Sequence, residues 1–303
     1  MNKYTALFCF VLLILLVALF AFDMRVQKQT NSLVLRPEYV SLMNTPYPVL
    51  AADVTPGQGI SARSFAILDK DSGVTIFAKN NTSQFPLAST TKIMTALVAL
   101  EHFALSDSLA IEDDSVEGTV VGFKKNETVS FLDLLYAMLL TSGNDAAVAI
   151  ADNYPGGRNV FVAKMNEKAQ KLMLKSMHFV DPAGLEDEGD YGTASDLARL
   201  ATIVLENNIF TKVVATKIRT IKAINTGNVY VLTNLNKLLG EDGITGVKTG
   251  HTEKAGDVLV TSIEENGRTI IIALLKSEDR FFDTRSLLRD IKGKISYLTF
   301  KSD

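Results

Sequence analysis

The sequence predicts a mixed α/β protein of the α+β type, in which one antiparallel sheet is built from both ends of the globular region and helices flank it. Runs typical of strands cover 64–69 and 74–78 near the start of this region, and 258–263 and 268–275 near its end. The residues between these two pairs have mainly the composition and periodicity of helices. We therefore expect the intervening block to form an inserted helical lobe.

The first 23 residues predict a membrane-targeting segment. An uncharged run of 19 residues extends from Tyr4 to Phe22 and contains Cys9, the single cysteine of the chain. As a helix it would span about 29 Å, close to the thickness of the hydrocarbon core of a bilayer. The run is longer than the apolar part of a typical signal peptide, and no clear small-x-small cleavage site follows it. We expect a retained single-pass anchor, with a cleaved signal as the alternative.

A spacer is predicted over 24–60, between the membrane and the globular domain. Four of the seven prolines of the chain fall there, and no periodicity is sustained. The globular domain is predicted to occupy 61–303. Its first two strand runs flank an Asp-Ser-Gly turn, which is typical of a hairpin. Pro86 then favours a helix that begins close to Ser89 and continues to Leu100.

Local signals divide the helical lobe. Ser130 and Asp133 form a capping box, and Gly143 breaks the helical pattern that follows. Asp145 is expected to cap the next apolar helix, and Thr193 opens a second capping box. Helices are predicted in the lobe over 131–140, 145–150, 159–174 and 194–206.

The C-terminal part returns to strand patterns. Asn266-Gly267 joins the last two strand runs, and this dipeptide strongly favours a hairpin. Lys248-Thr249-Gly250 precedes the hairpin and is expected on a strand edge. A closing helix is predicted with an apolar stripe of Leu288, Ile291, Ile295 and Leu298.

Composition excludes several classes of function. The net charge of −3 and the sequence pI near 5.7 give no basic surface for nucleic acid. The three histidines, His102, His178 and His251, are scattered, and Cys9 is far from all of them. No zinc site can be assembled from these residues. We expect neither a metal nor a cofactor.

Three short motifs indicate the chemistry: Ser89-x-x-Lys92, Ser142-x-Asn144 and Lys248-Thr249-Gly250. A serine hydroxyl needs a base within hydrogen-bond reach to become a nucleophile. Residues i and i+3 share a helix face, so Lys92 can approach Ser89. A lysine serves as a base only when it is neutral, and burial or neighbouring positive charge lowers its pKa. The backbone N–H groups at a helix start can also hold a developing oxyanion.

The other two motifs suit the remaining roles. Ser142 and Asn144 are expected in a turn between helices, where the hydroxyl relays a proton to the leaving nitrogen and the amide orients Lys92 and the substrate. Lys248 and Thr249 form a natural pair for a carboxylate. Gly250 allows a substrate backbone to lie close to the strand.

These motifs, with Asp181-Pro182-x-Gly184-Leu185 and Thr193-Ala194-x-Asp196 between them, resemble those of the low-molecular-mass penicillin-binding proteins, the serine-type D-alanyl-D-alanine carboxypeptidases. The similarity covers roughly residues 60–290. It implies a β-lactamase/transpeptidase-like fold and makes 61–303 the penicillin-binding D,D-peptidase domain. The sequence departs from the family pattern at Asp257, where an aromatic or small residue is more usual.

The resemblance implies a catalytic set of Ser89 as nucleophile, Lys92 as base and Ser142 as proton relay. It implies substrate binding by Asn144, Lys248, Thr249, Gly250, the backbone of His251 and, more weakly, Arg280. The expected reaction removes the terminal D-alanine from a peptidoglycan stem peptide through an acyl-enzyme on Ser89. β-Lactams, which mimic the D-Ala-D-Ala dipeptide, are expected to acylate the same serine.

The resemblance also implies where the enzyme works. The catalytic domain is expected outside the cytoplasm, held at the cell membrane by the N-terminal segment. Two alternatives stay open: a D,D-endopeptidase that acts on cross-links, and a non-catalytic membrane-bound sensor of penicillin or muropeptides. Four retained residues, Ser89, Lys92, Ser142 and Lys248, weigh against the sensor, because a pure binder needs no lysine base.

Overall fold

The computed structural model describes residues 45–185 and 188–299. The predicted anchor and the first part of the predicted spacer lie outside this range. Within the described residues, no helix is both long enough and apolar enough to cross a bilayer.

Helices and strands alternate in blocks along the described chain. The strands are β1 (Tyr47–Leu50), β2 (Ser64–Asp69), β3 (Thr75–Lys79), β4 (Phe85–Pro86), β5 (Ser108–Ala110), β6 (Thr128–Ser130), β7 (Tyr191–Gly192), β8 (Ile218–Lys222), β9 (Val229–Thr233), β10 (Ile244–Thr252), β11 (Gly256–Glu265), β12 (Arg268–Ser277) and β13 (Ile295–Leu298). A 3₁₀ turn (Ala88–Thr91) precedes the helices α1 (Lys92–Leu100), α2 (Phe131–Leu140), α3 (Asn144–Asp152), α4 (Gly157–Lys171), α5 (Ala194–Val204), α6 (Asn208–Val214) and α7 (Arg280–Ile291).

The central sheet has five antiparallel strands in the order β10-β11-β12-β2-β3. It joins strands from both ends of the domain, so the predicted α+β architecture is confirmed. Both faces are covered, and β2 shows how. Its alternating side chains divide between two cores: Phe65 and Ile67 face the core that includes α7, whereas Ala66 and Leu68 face the core of the helical lobe.

Several predicted elements are confirmed with small shifts at their ends. The Ser130 and Thr193 hydroxyls accept hydrogen bonds from the backbone N–H of Asp133 and Asp196, as expected for helix caps. Asp145 does not cap α3. It lies in the first turn of the helix, and its carboxylate accepts hydrogen bonds from the backbone of Val121 and Gly122 in a distant loop.

The predicted closing helix is too long. It ends at Ile291, and Ile295–Leu298 instead forms β13, which pairs antiparallel with β1. Gly293 has a φ of +70°, which takes the chain out of the helical region. The spacings of three, four and three residues fit a helix, but Ile295 and Leu298 belong to a strand, where residues three apart lie on opposite faces. β1 lies inside 24–60, so this part of the predicted spacer belongs to a small sheet.

Candidate active site

The first motif places a buried lysine against the candidate nucleophile. Ser89 lies in the 3₁₀ turn, and Lys92 follows as the first residue of α1. Lys92 Nζ is 2.9 Å from Ser89 Oγ, 2.8 Å from Asn144 Oδ1 and 2.7 Å from the carbonyl oxygen of Ala183. With these three acceptors the amine is fixed at hydrogen-bond distance from the serine hydroxyl.

Burial makes Lys92 a base near neutral pH. Its side chain is fully buried, which lowers the pKa of the amine from 10.5 to about 7. The carboxylates of Asp181 and Asp145 act in the opposite direction. At pH 7 a large fraction of the Lys92 amine is therefore neutral and able to accept a proton from Ser89.

The second motif connects α2 to α3 and faces the same lysine. Ser142 adopts a left-handed backbone conformation, with a φ of +61°, immediately after α2. Asn144 opens α3 and is held by two loop carbonyls: its Nδ2 donates to Glu117 and its backbone N–H donates to Thr119. Its Oδ1 is thereby directed at Lys92.

The third motif lies on β10, at one edge of the central sheet. Lys248 is buried, and its Nζ is 2.9 Å from Ser142 Oγ and 2.8 Å from the carbonyl oxygen of Thr249. Burial holds the pKa of Lys248 well below its usual range, and the positive charges of Lys92 and Arg280 act in the same direction. The predicted position on a strand edge is confirmed.

Gly250 shows how closely β10 approaches the candidate nucleophile. A Cβ atom at this position would lie 3.1 Å from the backbone nitrogen of Ser89, 3.1 Å from Ala88 Cβ and 3.2 Å from the carbonyl oxygen of Leu87. The absence of a side chain therefore lets the strand lie directly against the 3₁₀ turn. This contact brings the third motif to the first.

Two residues beside the site have left-handed backbone conformations. Ala88, directly before Ser89, has a φ of +48°, and Ser142 has a φ of +61°. Such conformations cost non-glycine residues about 1–3 kcal/mol and persist where the surrounding packing imposes them. Both residues are buried. The packed core thus holds the backbone at the two candidate hydroxyl groups in fixed, strained conformations.

Arg280 and His251 lie beside the third motif. Arg280 is the first residue of α7, and its NH1 donates to the carbonyl oxygen of Gly250 at 2.6 Å. His251 is the next residue along β10, and its Nδ1 lies 2.7 Å from Asp257 Oδ1. The ring of His251 is largely exposed, and its backbone follows Gly250 along the strand edge.

A loop at 181–185 completes the surroundings of Lys92 and was not assigned a role from the sequence. The Asp181 carboxylate accepts hydrogen bonds from the backbone of Ala183, Gly184 and Leu185. A Cβ atom on Gly184 would lie 2.0 Å from the carbonyl oxygen of Ala88. The loop therefore packs against the 3₁₀ turn and presents the Ala183 carbonyl to Lys92. The Asp181-Pro182-x-Gly184-Leu185 pattern identifies this loop in the sequence. The acceptor of Lys92 is the backbone carbonyl of residue 183, however, and any residue type at that position would supply it.

Asp190 lies behind this loop and is completely buried. Its Oδ1 accepts a hydrogen bond from the backbone of Val180 at 2.8 Å. Burial, together with the neighbouring Asp181 carboxyl group, raises the pKa of Asp190 to about 9. Asp190 is therefore mainly protonated at neutral pH.

Comparison with known proteins supports the resemblance across most of the chain. The family model for D-alanyl-D-alanine carboxypeptidases, peptidase S11, matches residues 51–279. The D-alanyl-D-alanine carboxypeptidase DacF of Bacillus subtilis is 34% identical over 220 residues, which cover 70% of this chain and 56% of the relative. A D-alanyl-D-alanine endopeptidase of Pseudomonas aeruginosa is 30% identical over 230 residues, covering 74% of each.

The fold comparison agrees. The crystal structure of a Streptomyces DD-transpeptidase matches with a TM-score of 0.74 and 31% sequence identity, covering 78% of this chain and 98% of that protein. The chain spans little more than half of the Bacillus relative but nearly all of the transpeptidase structure. Because the family model matches most of the chain and the fold agrees, the chain belongs to the peptidase S11 family of D-alanyl-D-alanine carboxypeptidases.

Proposed function

We propose that the protein is a serine D,D-carboxypeptidase that removes the terminal D-alanine from peptidoglycan stem peptides. One observation carries this proposal: a fully buried lysine, with a pKa of about 7, contacts the Ser89 hydroxyl at 2.9 Å. Burial of an amine costs the fold free energy, so a fully buried lysine indicates a functional role. Activation of a serine nucleophile is the purpose that this geometry supports.

Acylation begins with proton transfer. Neutral Lys92 accepts the proton of Ser89, and Ser89 Oγ attacks the carbonyl carbon between the last two D-alanines. The backbone N–H groups of Ser89 and His251 are suited to stabilise the negative charge on the tetrahedral intermediate, since Gly250 brings β10 against the 3₁₀ turn. Ser142, hydrogen-bonded to Lys248, donates its proton to the leaving nitrogen and takes up the proton that Lys92 accepted from Ser89, so that Lys92 is neutral again. The C–N bond then breaks, and water later hydrolyses the acyl-enzyme.

The terminal carboxylate of the substrate would be bound beside β10. Thr249 supplies a hydroxyl, Lys248 supplies hydrogen-bond donors, and Arg280 supplies a guanidinium anchored on Gly250. Asn144 contacts Lys92 and lies at the second motif, where it can orient the stem peptide. β-Lactams carry the corresponding carboxylate and carbonyl group and would acylate Ser89.

The cellular setting is also a proposal. Residues 1–23 would anchor the protein in the cell membrane or direct its export, residues 24–60 would connect the anchor to the catalytic domain, and 61–303 would form that domain outside the cytoplasm. The apolar run from Tyr4 to Phe22 and the extracytoplasmic location of peptidoglycan support this arrangement.

Labelling with a fluorescent penicillin tests the nucleophile. The full-length protein in detergent is expected to form a covalent adduct, and the Ser89→Ala variant is expected to form none. A matched control, Ser83→Ala, changes a serine in the turn before the site and should label like the parent. An adduct that persists in Ser89→Ala would contradict the assignment.

Peptide hydrolysis distinguishes the carboxypeptidase from the second candidate, an endopeptidase, which the similarity to the Pseudomonas enzyme favours. A pentapeptide stem is expected to lose one D-alanine, detected by mass spectrometry. Release of monomers from cross-linked dimers, with the pentapeptide left intact, would identify an endopeptidase. Labelling without turnover of either substrate would indicate a penicillin-binding sensor.

A further inference from the structure

Asp257 lies at the start of β11 and contacts two residues of the candidate site. Its Oδ1 is 2.7 Å from His251 Nδ1 and 3.3 Å from Arg280 NH1, and its Oδ2 accepts the backbone N–H of Arg280 at 3.2 Å. The carboxylate thus connects β10 to the first residue of α7. An aromatic or a small residue at this position could not make these contacts.

The guanidinium of Arg280 is constrained on one side. NH1 donates to the Gly250 carbonyl and faces Asp257, and Nε is buried with no hydrogen-bond partner among the described residues. The Arg280 side chain is 19% exposed, and NH2 makes no hydrogen bond to a described residue. NH2 is therefore the part of the group that remains able to donate to a ligand beside β10.

The charge beside β10 is nearly balanced. Asp257 and Arg280 are both about four-fifths buried and form an ion pair, so together they present little net charge to a third ion. Burial disfavours the charged form of Lys248. A substrate carboxylate placed here would find hydrogen-bond donors but only a weak positive potential.

We propose that Asp257 determines the substrate class of the cleft. It holds Arg280 in place and offsets its charge, so that stem peptides whose leaving residue lacks a free carboxylate are accepted nearly as well as peptides that end in one. An amidated terminal residue is one such leaving group. This inference rests on the proposed peptidase function and specifies its substrates.

The test compares two peptides that differ in a single group. Both end in D-Ala-D-Ala, one with a free carboxylate and the other with a C-terminal amide. The Asp257→Asn variant can keep Oδ1 as the acceptor for His251 and for the Arg280 guanidinium, while it removes the negative charge and the acceptor of the Arg280 backbone N–H. We expect kcat/KM for the free carboxylate to rise about tenfold, equal to about 1.4 kcal/mol, mainly through a lower KM. The amide peptide should change less than twofold.

Three further variants separate charge from structure. Glu278→Gln removes a negative charge from an exposed neighbour of Arg280 and should leave the carboxylate-to-amide ratio unchanged. Asp257→Glu keeps the charge and should keep the ratio of the parent. Arg280→Gln added to Asp257→Asn should abolish the gain, because Asp257 acts through the guanidinium.

The outcome separates this inference from the proposed function. An unchanged ratio in Asp257→Asn, or an equal loss for both peptides, would overturn the role of Asp257 while leaving the peptidase assignment standing. Equilibrium binding of the two peptides by proteins that also carry Ser89→Ala needs no catalysis, so it tests the same ratio even if the parent hydrolyses neither peptide. In this assay the inference is supported if Asp257→Asn binds the free-carboxylate peptide about tenfold more tightly than the protein with Asp257 does. It is overturned if the two proteins bind this peptide equally.

Discussion

Lowering the pH from 8 to 6 is expected to slow acylation of Ser89 about tenfold. With a Lys92 pKa of about 7, the neutral fraction of the amine falls from about 0.9 at pH 8 to about 0.1 at pH 6. A lysine with the ordinary pKa of 10.5 would instead lose a factor of about 100 over the same interval, because it titrates far above both pH values. The size of the decrease therefore reports the effect of burial on this side chain.

The shape of the whole profile adds a second criterion. Burial lowers the pKa of Lys92, so the rate should rise through pH 7 and level off above about pH 8. The assay is the second-order rate constant for labelling by a fluorescent penicillin between pH 5.5 and 9.5, with circular dichroism at each pH to confirm that the protein stays folded. Lys164→Ala removes a surface lysine that pairs with Glu167 and should give the same profile as the parent.

Two results would refute the argument. A hundredfold decrease between pH 8 and 6, with a rate still rising at pH 9.5, would mean that burial does not lower the pKa of Lys92. A rate independent of pH over this range would mean that Lys92 is not the base. Asp190→Asn offers a control on the surroundings: since Asp190 is mainly protonated below about pH 9, its replacement by a neutral amide should leave the midpoint near pH 7 unchanged.

Three further predictions concern two glycines packed against the 3₁₀ turn and the residue that caps α7. Gly250→Ala would place a methyl group 3.1 Å from the Ser89 nitrogen and should slow acylation by about tenfold or more, with a loss of about 1–3 kcal/mol in urea unfolding; unchanged labelling would contradict the close approach of β10. Gly184→Ala would clash with the Ala88 carbonyl and should destabilise the fold by about 3 kcal/mol or more, whereas Gly59→Ala, which has open space and a similar positive φ, should cost only about 1–2 kcal/mol. Asp279→Ala removes the hydrogen bonds that cap α7 and should cost about 1 kcal/mol in urea unfolding; equal stability would show that the cap is dispensable.

Local patterns predicted much of the fold because they depend on neighbouring residues. The capping boxes at Ser130 and Thr193 and the Asn266-Gly267 hairpin are signals that a few adjacent residues encode. Asp145 was assigned incorrectly for the opposite reason. A carboxylate near a helix start has local partners available, but the loop around Val121 supplies backbone donors from more than twenty residues away.

The same distinction applies to the closing segment and to the pair of strands before β10. Leu288 and Ile291 lie on a helix as predicted, while Ile295 pairs with Leu50 from the other end of the domain. No local periodicity reports such a partner. The β8–β9 pair was not predicted either, although Val229–Thr233 alternates buried and exposed residues once it is folded.

The sequence by itself determined the types of reactive group and their order: a serine with a lysine one turn later, a serine and an asparagine in a turn, and a lysine-threonine-glycine strand. These depend on side-chain chemistry and on spacing along one element. The tertiary structure decided what these groups can do. It buried Lys92 enough to lower its pKa to about 7, brought Lys248 to Ser142 across 106 positions of sequence, and set Asp257 against Arg280. Desolvation and long-range contacts exist only after the sheet and the helical lobe have closed around the cleft, because they depend on distance in space rather than along the chain.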